Sequence, residues 1–493
     1  MTLPYGSRPF AVLYADTWND YGYNVLYKLE VHLENHDVIA AGNVKITSLG
    51  LESGAPLDIG VEFETLPEGF CSLGQEYTYY EALAGSGDTL LRQTLAGLRD
   101  VVLYPTLQEV FKNENSYRKG LLRFGSAERA IVDAPALLAD QHGPDGPSKT
   151  RLAFAFENSV GGDDFTIEFV FADREHLPSR INAVIGYNGT GKTRLLANLA
   201  MIASSDAQRR LEPETRKFSG RFPEYDPAFG AVVAISYSAF DIFEIPDKGD
   251  PRSFGYTYCG LRKRGPDGAY TLKSPDEITD DFFSALKNAR NGRQRDILVQ
   301  VFDRLKQEPS FARVGLTEYI HAEEDTSLSD IRLQFSRLST GHKIVLNIAT
   351  QLVANLQLRS LILIDEPESH LHPPLLAALL RSVSEALDQR DSFAVVATHS
   401  PVVLQEVPSR YVSVLKRNDT ATIVQSPESE TFGENVGFLT RTVFNLDSSA
   451  TDHHAILRRL AQFPMADIEQ MFGTRLSNQA RTYIMKIQRE RAS

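Results

Sequence analysis

Eight consecutive residues, Gly186-Tyr187-Asn188-Gly189-Thr190-Gly191-Lys192-Thr193, have types and spacing suited to holding a phosphate chain. Glycines let backbone N–H groups wrap an anion without Cβ clashes. A helix beginning at the end of such a loop points its positive N-terminus at the same anion. A lysine there reaches the β- and γ-phosphates of a nucleotide, and the next hydroxyl is a Mg²⁺ ligand. The flanks agree with this reading. An apolar strand over Ile181–Ile185 precedes the loop, and a helix-spaced stretch, Lys192–Ile202, follows it. ATP would then be held by Gly186, Asn188, Gly189, Thr190, Gly191, Lys192, Thr193 and Arg194, with Thr193 on Mg²⁺.

A second set is Leu361-Ile362-Leu363-Ile364-Asp365-Glu366-Pro367. Four apolar residues running into two carboxylates read as a buried strand whose C-terminal end opens on a site. Asp365 suits a Mg²⁺ partner, usually through water, and Glu366 suits the group that polarises an attacking water. By itself the pair could also be a strand ending in a solvated acidic turn. The phosphate loop upstream favours the chemical reading.

The third set is Leu338-Ser339-Thr340-Gly341-His342-Lys343. Ser339 suits a helix N-cap with Gly341 in the first turn, and a capped helix start is also an anion site. This set resembles the signature of ABC-type ATPases, Leu-Ser-Gly-Gly-Gln, in a looser form. The resemblance implies that Ser339 and Gly341 touch the γ-phosphate held by a second copy, so that two sites form when two chains dimerise head to tail. Thr398-His399-Ser400-Pro401, after the apolar run Phe393–Ala397, resembles that family's switch histidine, and implies that His399 contacts the γ-phosphate. Glu368-Ser369-His370-Leu371-His372-Pro373 falls at the D-loop position and resembles bacterial ABC-like ATPases that include the OLD and the Septu-type and retron-associated defence proteins. A metal site from His370, His372, Asp365 and Glu366 is the disfavoured alternative. The family's Gln after the next strand is missing from Ala231–Asp241, where Ser238 or Asp241 are substitutes. That gap and the looser signature disfavour a transporter subunit.

The elements needed to place these groups can be read along the chain. Apolar strands at Ile181–Ile185, Ala231–Ser236, Leu361–Ile364 and Phe393–Ala397 alternate with helices at Lys192–Ile202, Gly341–Gln357 and Pro374–Gln389. That order predicts an α/β fold, a P-loop ABC-type head built on a mostly parallel sheet. Thr150–Phe156 and Phe165–Phe171 predict an antiparallel β subdomain. The expected organisation is a mixed α/β N-terminal extension over 1–148, an ATPase core over 149–430 with a helical signature lobe or insertion at 240–335, and a helical tail over 431–493. Breakers in Asp140–Lys149 mark the first boundary. Glu76–Arg99 reads as helix.

Composition limits the partners. No apolar run reaches about 18 residues, so no membrane partner is expected. Met1–Phe10 lacks the pattern of a secretory leader. Cys71 and Cys259 stand apart, as reduced thiols of a cytoplasmic protein would. The net charge of −13 opposes DNA binding over the whole surface. Residues 252–313 nevertheless hold 12 Lys/Arg against 8 Asp/Glu, which leaves a local double-stranded DNA contact open. No nuclease cluster is visible. The defence resemblance, extended by Thr431–Gly437 with Phe444 and by Asp16–Gly22, implies control of a separate effector nuclease. An SMC-like DNA-binding or repair clamp is the alternative.

Overall fold

The computed structural model describes residues 9–16, 20, 22–138, 152–172, 177–205, 207–224, 227–245, 255–265, 268–290, 292–321, 326–419, 421–443 and 452–492. The linker expected at 140–149 lies outside these residues, as do Thr17–Asn19, Tyr21 and Phe444. The chain forms two compact units, Met1–Phe432 and Gly433–Ser493.

The larger unit opens with an antiparallel sheet ordered β1 (Phe10–Ala15), β2 (Leu26–His32), β3 (Val38–Ser48) and β4 (Phe70–Gly74). Its core side chains include Val25, Leu29, Val44, Ile46 and Leu73, packed beneath the helix Tyr77–Ala84. The helix expected over Glu76–Arg99 is in fact two, Tyr77–Ala84 and Asp88–Gly97, because Gly85-Ser86-Gly87 breaks it. Polar contacts tie this sheet's helices to later chain. Gln357 Nε2 donates to Glu76 Oε2 at 2.9 Å, and Arg390 Nη1 lies 2.6 Å from Glu81 Oε1. Leu358 joins the same apolar cluster.

Next come the paired strands β5 (Leu152–Asn158) and β6 (Phe165–Phe171), then β7 (Ile181–Gly186), β8 (Val232–Ser236), β9 (Tyr256–Gly260), the hairpin β10 (Arg262–Arg264) and β11 (Tyr270–Leu272), β12 (Leu361–Asp365), β13 (Phe393–Thr398), β14 (Val412–Asn418) and β15 (Ala421–Gln425). Seven of these make the main sheet, ordered β15-β14-β7-β13-β12-β8-β9. Every neighbouring pair is parallel except β14 with the edge strand β15. The four strands β7, β8, β12 and β13 are buried along their whole length, as a sheet covered on both faces requires. On one face Val184, Ala234, Leu363 and Val395 pack with Leu195, Leu196 and Leu199 of the helix Lys192–Ser204 and with Phe154, Ile167 and Phe169 of the β5–β6 pair. The α/β head and the antiparallel pair expected from the sequence are both present. The stretch 240–335 is not purely helical: β9 extends the main sheet, and only then do Pro275–Ala289 and Gly292–Leu305 supply helices.

The smaller unit is helical, with Val436–Thr442, Asp452–Leu460, Met465–Phe472 and Asn478–Ala492. Leu457, Ala461, Ile468 and Ile484 form its core.

Candidate active site

Parallel register brings three motifs to one edge of the main sheet. Asp365 pairs with Ala397, and Thr398 pairs with Ile185. The loops after β7, β12 and β13 therefore emerge side by side at the strands' C-terminal ends, where ligands of open α/β sheets bind.

The loop after β7 is shaped by its glycines. Gly191, at φ +93°, caps the helix Lys192–Ser204, and a Cβ there would sit 2.2 Å from Val160 Cγ1. A Cβ at Gly186 would lie 2.7 Å from Leu415 O and from Thr190 Oγ1. Asn188 and Gly189 are exposed in the loop, Arg194 is exposed in the first helical turn, and Thr190 is buried. The Thr190 N–H and hydroxyl both donate to Tyr187 O, at 3.2 and 2.8 Å. Lys192 is buried inside the loop, its Nζ 3.0 Å from Gly186 O and 3.4 Å from Tyr187 O. Burial lowers its pKa, against the pull of Glu366, Asp365 and Glu368.

Thr193 Oγ1 donates to Asp365, 2.9 Å from Oδ2 and 3.1 Å from Oδ1. Asp365 is only 2% exposed. Burial pushes its pKa up to about 7; Glu366 and Asp241 push the same way, while the Thr193 hydroxyl and Lys192 oppose. A hydroxyl and a desolvated carboxylate are hard oxygen donors short of positive charge, and they fit Mg²⁺. When bound, the ion would neutralise charge on phosphate oxygens.

Glu366 follows with φ +45°, a left-handed conformation rare for a side chain of its size. Its N–H is fixed to Ala397 O at 2.9 Å. Such strain persists where surrounding structure imposes it, and it clusters at functional sites. Here it turns the chain sharply at the end of β12 into the short turn Pro367–His370. His399 Nδ1 lies 3.7 Å from Glu366 Oε1 and 3.2 Å from Glu368 Oε1. The sheet edge thus gathers Lys192, Thr193, Asp365, Glu366 and His399.

Ser339 and Gly341 sit elsewhere, at the start of the helix Thr340–Asn355. Ser339 is the N-cap and is exposed; its Oγ accepts from His342 N–H at 3.4 Å. Gly341 packs closely on the first turn of the helix Pro373–Gln389, where a Cβ would meet Leu375 Cδ1 at 2.9 Å.

Protein ea59 of Escherichia phage lambda is 32% identical to this chain over 507 aligned residues, which cover 97% of this chain and 93% of that protein. This chain belongs to the ea59 family. Residues 263–405 of this ea59-family chain match the family model AAA_21, described as "AAA domain, putative AbiEii toxin, Type IV TA system". That stretch holds Ser339, Gly341, Asp365, Glu366 and His399. This stretch of the chain is thus similar to an AAA-type ATPase domain. Solved structures with a distant likeness include a nucleotide-free ATP-binding cassette from an ABC transporter, with 12% identity, a TM-score of 0.31, and cover of 59% of this chain and 98% of that one. Another is the SMC head domain from Thermotoga maritima, with 12% identity, a TM-score of 0.27, and cover of 57% and 99%. Strand order and motif placement, rather than these likenesses, carry the fold assignment.

Sequence patterns missed two parts of this site. Glu368 Oε1 accepts from the Thr398 hydroxyl and from the His399 N–H, each at 2.7 Å, so it fixes the histidine loop. Its place two residues after Glu366 was the available signal. Arg417 of β14 donates to Gly189 O at 3.4 Å and to Gly161 O at 3.2 Å, bringing a cation beside the phosphate loop. Nothing local in the sequence marks it. Asp241, weighed as a substitute for the missing Gln, is held by Arg262 Nη1 at 2.7 Å and by the Tyr258 hydroxyl at 2.7 Å. Ser238 Oγ accepts from Phe240 N–H at 3.2 Å. His370 Nε2 lies 3.2 Å from Tyr237 O. Among the described residues no group of three His, Cys, Asp or Glu side chains converges as a metal cage, and no helix is long and apolar enough to cross a membrane.

Proposed function

We propose that this chain hydrolyses ATP at composite sites formed by two copies head to tail, and that the ATP cycle controls a separate effector, a nuclease acting in phage conflict. The observation that carries the reading is the assembly of Lys192, Thr193, Asp365, Glu366 and His399 on one sheet edge, with Ser339 exposed at a different helix start. In this reading the loop amides and Lys192 hold the phosphates. Thr193 and Asp365 face Mg²⁺, and Glu366 orients the water that attacks the γ-phosphorus, while His399 contacts the γ-phosphate. Ser339 and Gly341 of the second copy complete the site. The toxin–antitoxin wording of the matched family and the phage origin of the relative support a conflict role. The chemistry of damage is assigned to a partner because the chain's carboxylates at the site are those already placed.

The clamp reading, in which the basic stretch at 252–313 grips duplex DNA, is less favoured. Several of its cations already face acids: Lys263 pairs with Glu277, Lys273 with Asp281, and Arg304 with Glu385. The test uses purified full-length chain with Mg²⁺-ATP and plasmid DNA. Phosphate release that is lost in Lys192→Ala, with the plasmid left intact, is the expected result. Absence of phosphate release across protein concentrations, or dose-dependent cleavage removed by a point change in this chain, would contradict it.

A further inference from the structure

Ser339 does not stand alone at its helix start. Its Oγ lies 2.6 Å from His342 Nδ1, and His342 Nε2 lies 2.8 Å from Ser310 Oγ. Ser310 Oγ in turn donates to Glu308 Oε2 by a short hydrogen bond, and Glu308 also accepts from the Ser310 and Phe311 N–H groups at 2.8 and 3.2 Å. Four side chains thus form one line, Ser339–His342–Ser310–Glu308.

The number of hydrogens in this line decides its state. Burial pushes Glu308 up, but the bonds from Ser310 and Phe311, with His342 nearby, bring it below its ordinary value. It is therefore a carboxylate at neutral pH and only accepts. The single hydroxyl hydrogen of Ser310 goes to it. Ser310 Oγ must then accept from His342 Nε2–H. A neutral imidazole carries one N–H, so Nδ1 is bare and accepts the hydroxyl hydrogen of Ser339. In this state Ser339 has no hydrogen left for a phosphate. With a proton on Nδ1 the direction of that bond reverses, and the Ser339 hydrogen is released toward the open end of the helix.

We propose that His342 is a positioning residue for Ser339, and that the Ser339 hydroxyl donates to a nucleotide phosphate only when this imidazole takes up a proton. The inference rests on the composite-site reading above. The groups around His342 agree with a neutral resting state. Burial and His372, the N-cap of the helix Pro373–Gln389, lower its pKa, and Glu308 opposes them. The Phe311 ring stands edge-on at 4.7 Å, and Lys343 on the same helix is turned to Ser336 O at 2.7 Å. An incoming γ-phosphate raises the imidazole's proton affinity, so binding and protonation favour each other. The coupling makes assembly of each site proton-linked.

The experiment measures ATP-driven dimerisation by sedimentation from pH 6 to 8.5 in a Glu366→Gln background, which preserves bound ATP. Proton uptake is read by calorimetry in buffers of different ionisation enthalpy. The ATP concentration for half-dimerisation should rise with pH, by up to about tenfold per site for each unit above the pKa of His342. His342→Gln, whose side chain keeps an amide donor, should flatten that slope and remove up to one proton of uptake per site. Ser310→Ala should flatten it too, because it frees the imidazole to place its single hydrogen on Nδ1. Proton release from Asp365 on Mg²⁺ binding is common to all these proteins and cancels in the differences. A dimer that forms in both variants with the unsubstituted slope overturns this inference alone. Absence of any ATP-driven dimer at every pH overturns the composite-site reading and this inference with it.

Discussion

The sheet edge at β7, β12 and β13 and the start of the helix Thr340–Asn355 hold their polar groups in opposite ways. At the sheet edge Lys192 and Asp365 are buried, and each is shifted toward its neutral form first of all by burial. Strand pairing fixes Asp365, the glycine-shaped loop and the helix after it fix Lys192, and Glu366 is held in a strained backbone conformation beside the histidine loop. At the helix start Ser339 is exposed, and its hydroxyl is committed to a neighbouring histidine that another hydrogen could release. The difference separates two tasks. In the proposed reading, the groups that act on phosphate within one copy are set in place by the sheet, at a cost in stability. In the same reading, the group proposed to meet a second copy stays at the surface in an adjustable state.

The largest expected effect comes from removing charge at the fixed half. Glu366→Gln keeps shape but not the carboxylate, and phosphate release should fall by about 10² or more. ATP-dependent dimerisation should persist. Turnover close to that of the unsubstituted protein would remove Glu366 from its assigned part. Next in size is Glu368→Ala, which takes away the acceptor shared by Thr398, His399 N–H and the His399 ring. Loss of a charge-assisted bond corresponds to about tenfold in kcat, with KM little changed. A change confined to KM would make Glu368 a binding rather than an orienting group.

The smallest effect tests the cost of the buried half. The folded-state pKa of Asp365 is raised to about 7, above the ordinary carboxylate value near 4. The folded protein thus retains a proton there that the unfolded chain releases. Stability attributable to this position is highest at low pH and is lost as pH rises from about 4 through about 7. Asp365→Asn removes the titration. Without nucleotide it should melt a few degrees above the unsubstituted protein at pH 8, with the gap closing toward pH 4, while phosphate release is lost. A variant that melts lower at pH 8 would show that the carboxylate is not a buried liability.

How much of this was legible in the sequence depends on range. The mostly parallel sheet follows from uninterrupted apolar runs such as Leu361–Ile364 and Phe393–Ala397, which only a doubly covered strand tolerates. The glycines at 186, 189 and 191 and the carboxylates at 365 and 366 lie in short local patterns, and parallel register then brings them to one edge. Glu368 was visible but read only as part of the segment at the D-loop position, because its partners are about 30 positions away. Arg417 and the Ser310–Glu308 end of the hydrogen-bonded line come from distant chain, and no spacing rule points to them. The break at Gly85–Gly87 was a local signal that apolar periodicity overrode. β9 was missed because Tyr256–Gly260 mixes tyrosines with polar neighbours and lacks the apolar run of the central strands.

The central claim is that one site is built from two copies, and mixing two inactive proteins tests it most directly. Lys192→Ala damages the phosphate loop, and Ser339→Arg damages the helix start. In a mixed head-to-tail dimer one composite site collects both lesions and the other collects neither. Phosphate release should therefore recover in part when the two are combined, although each alone is inactive. No recovery, with subunit exchange confirmed in the same mixture, would contradict the head-to-tail site.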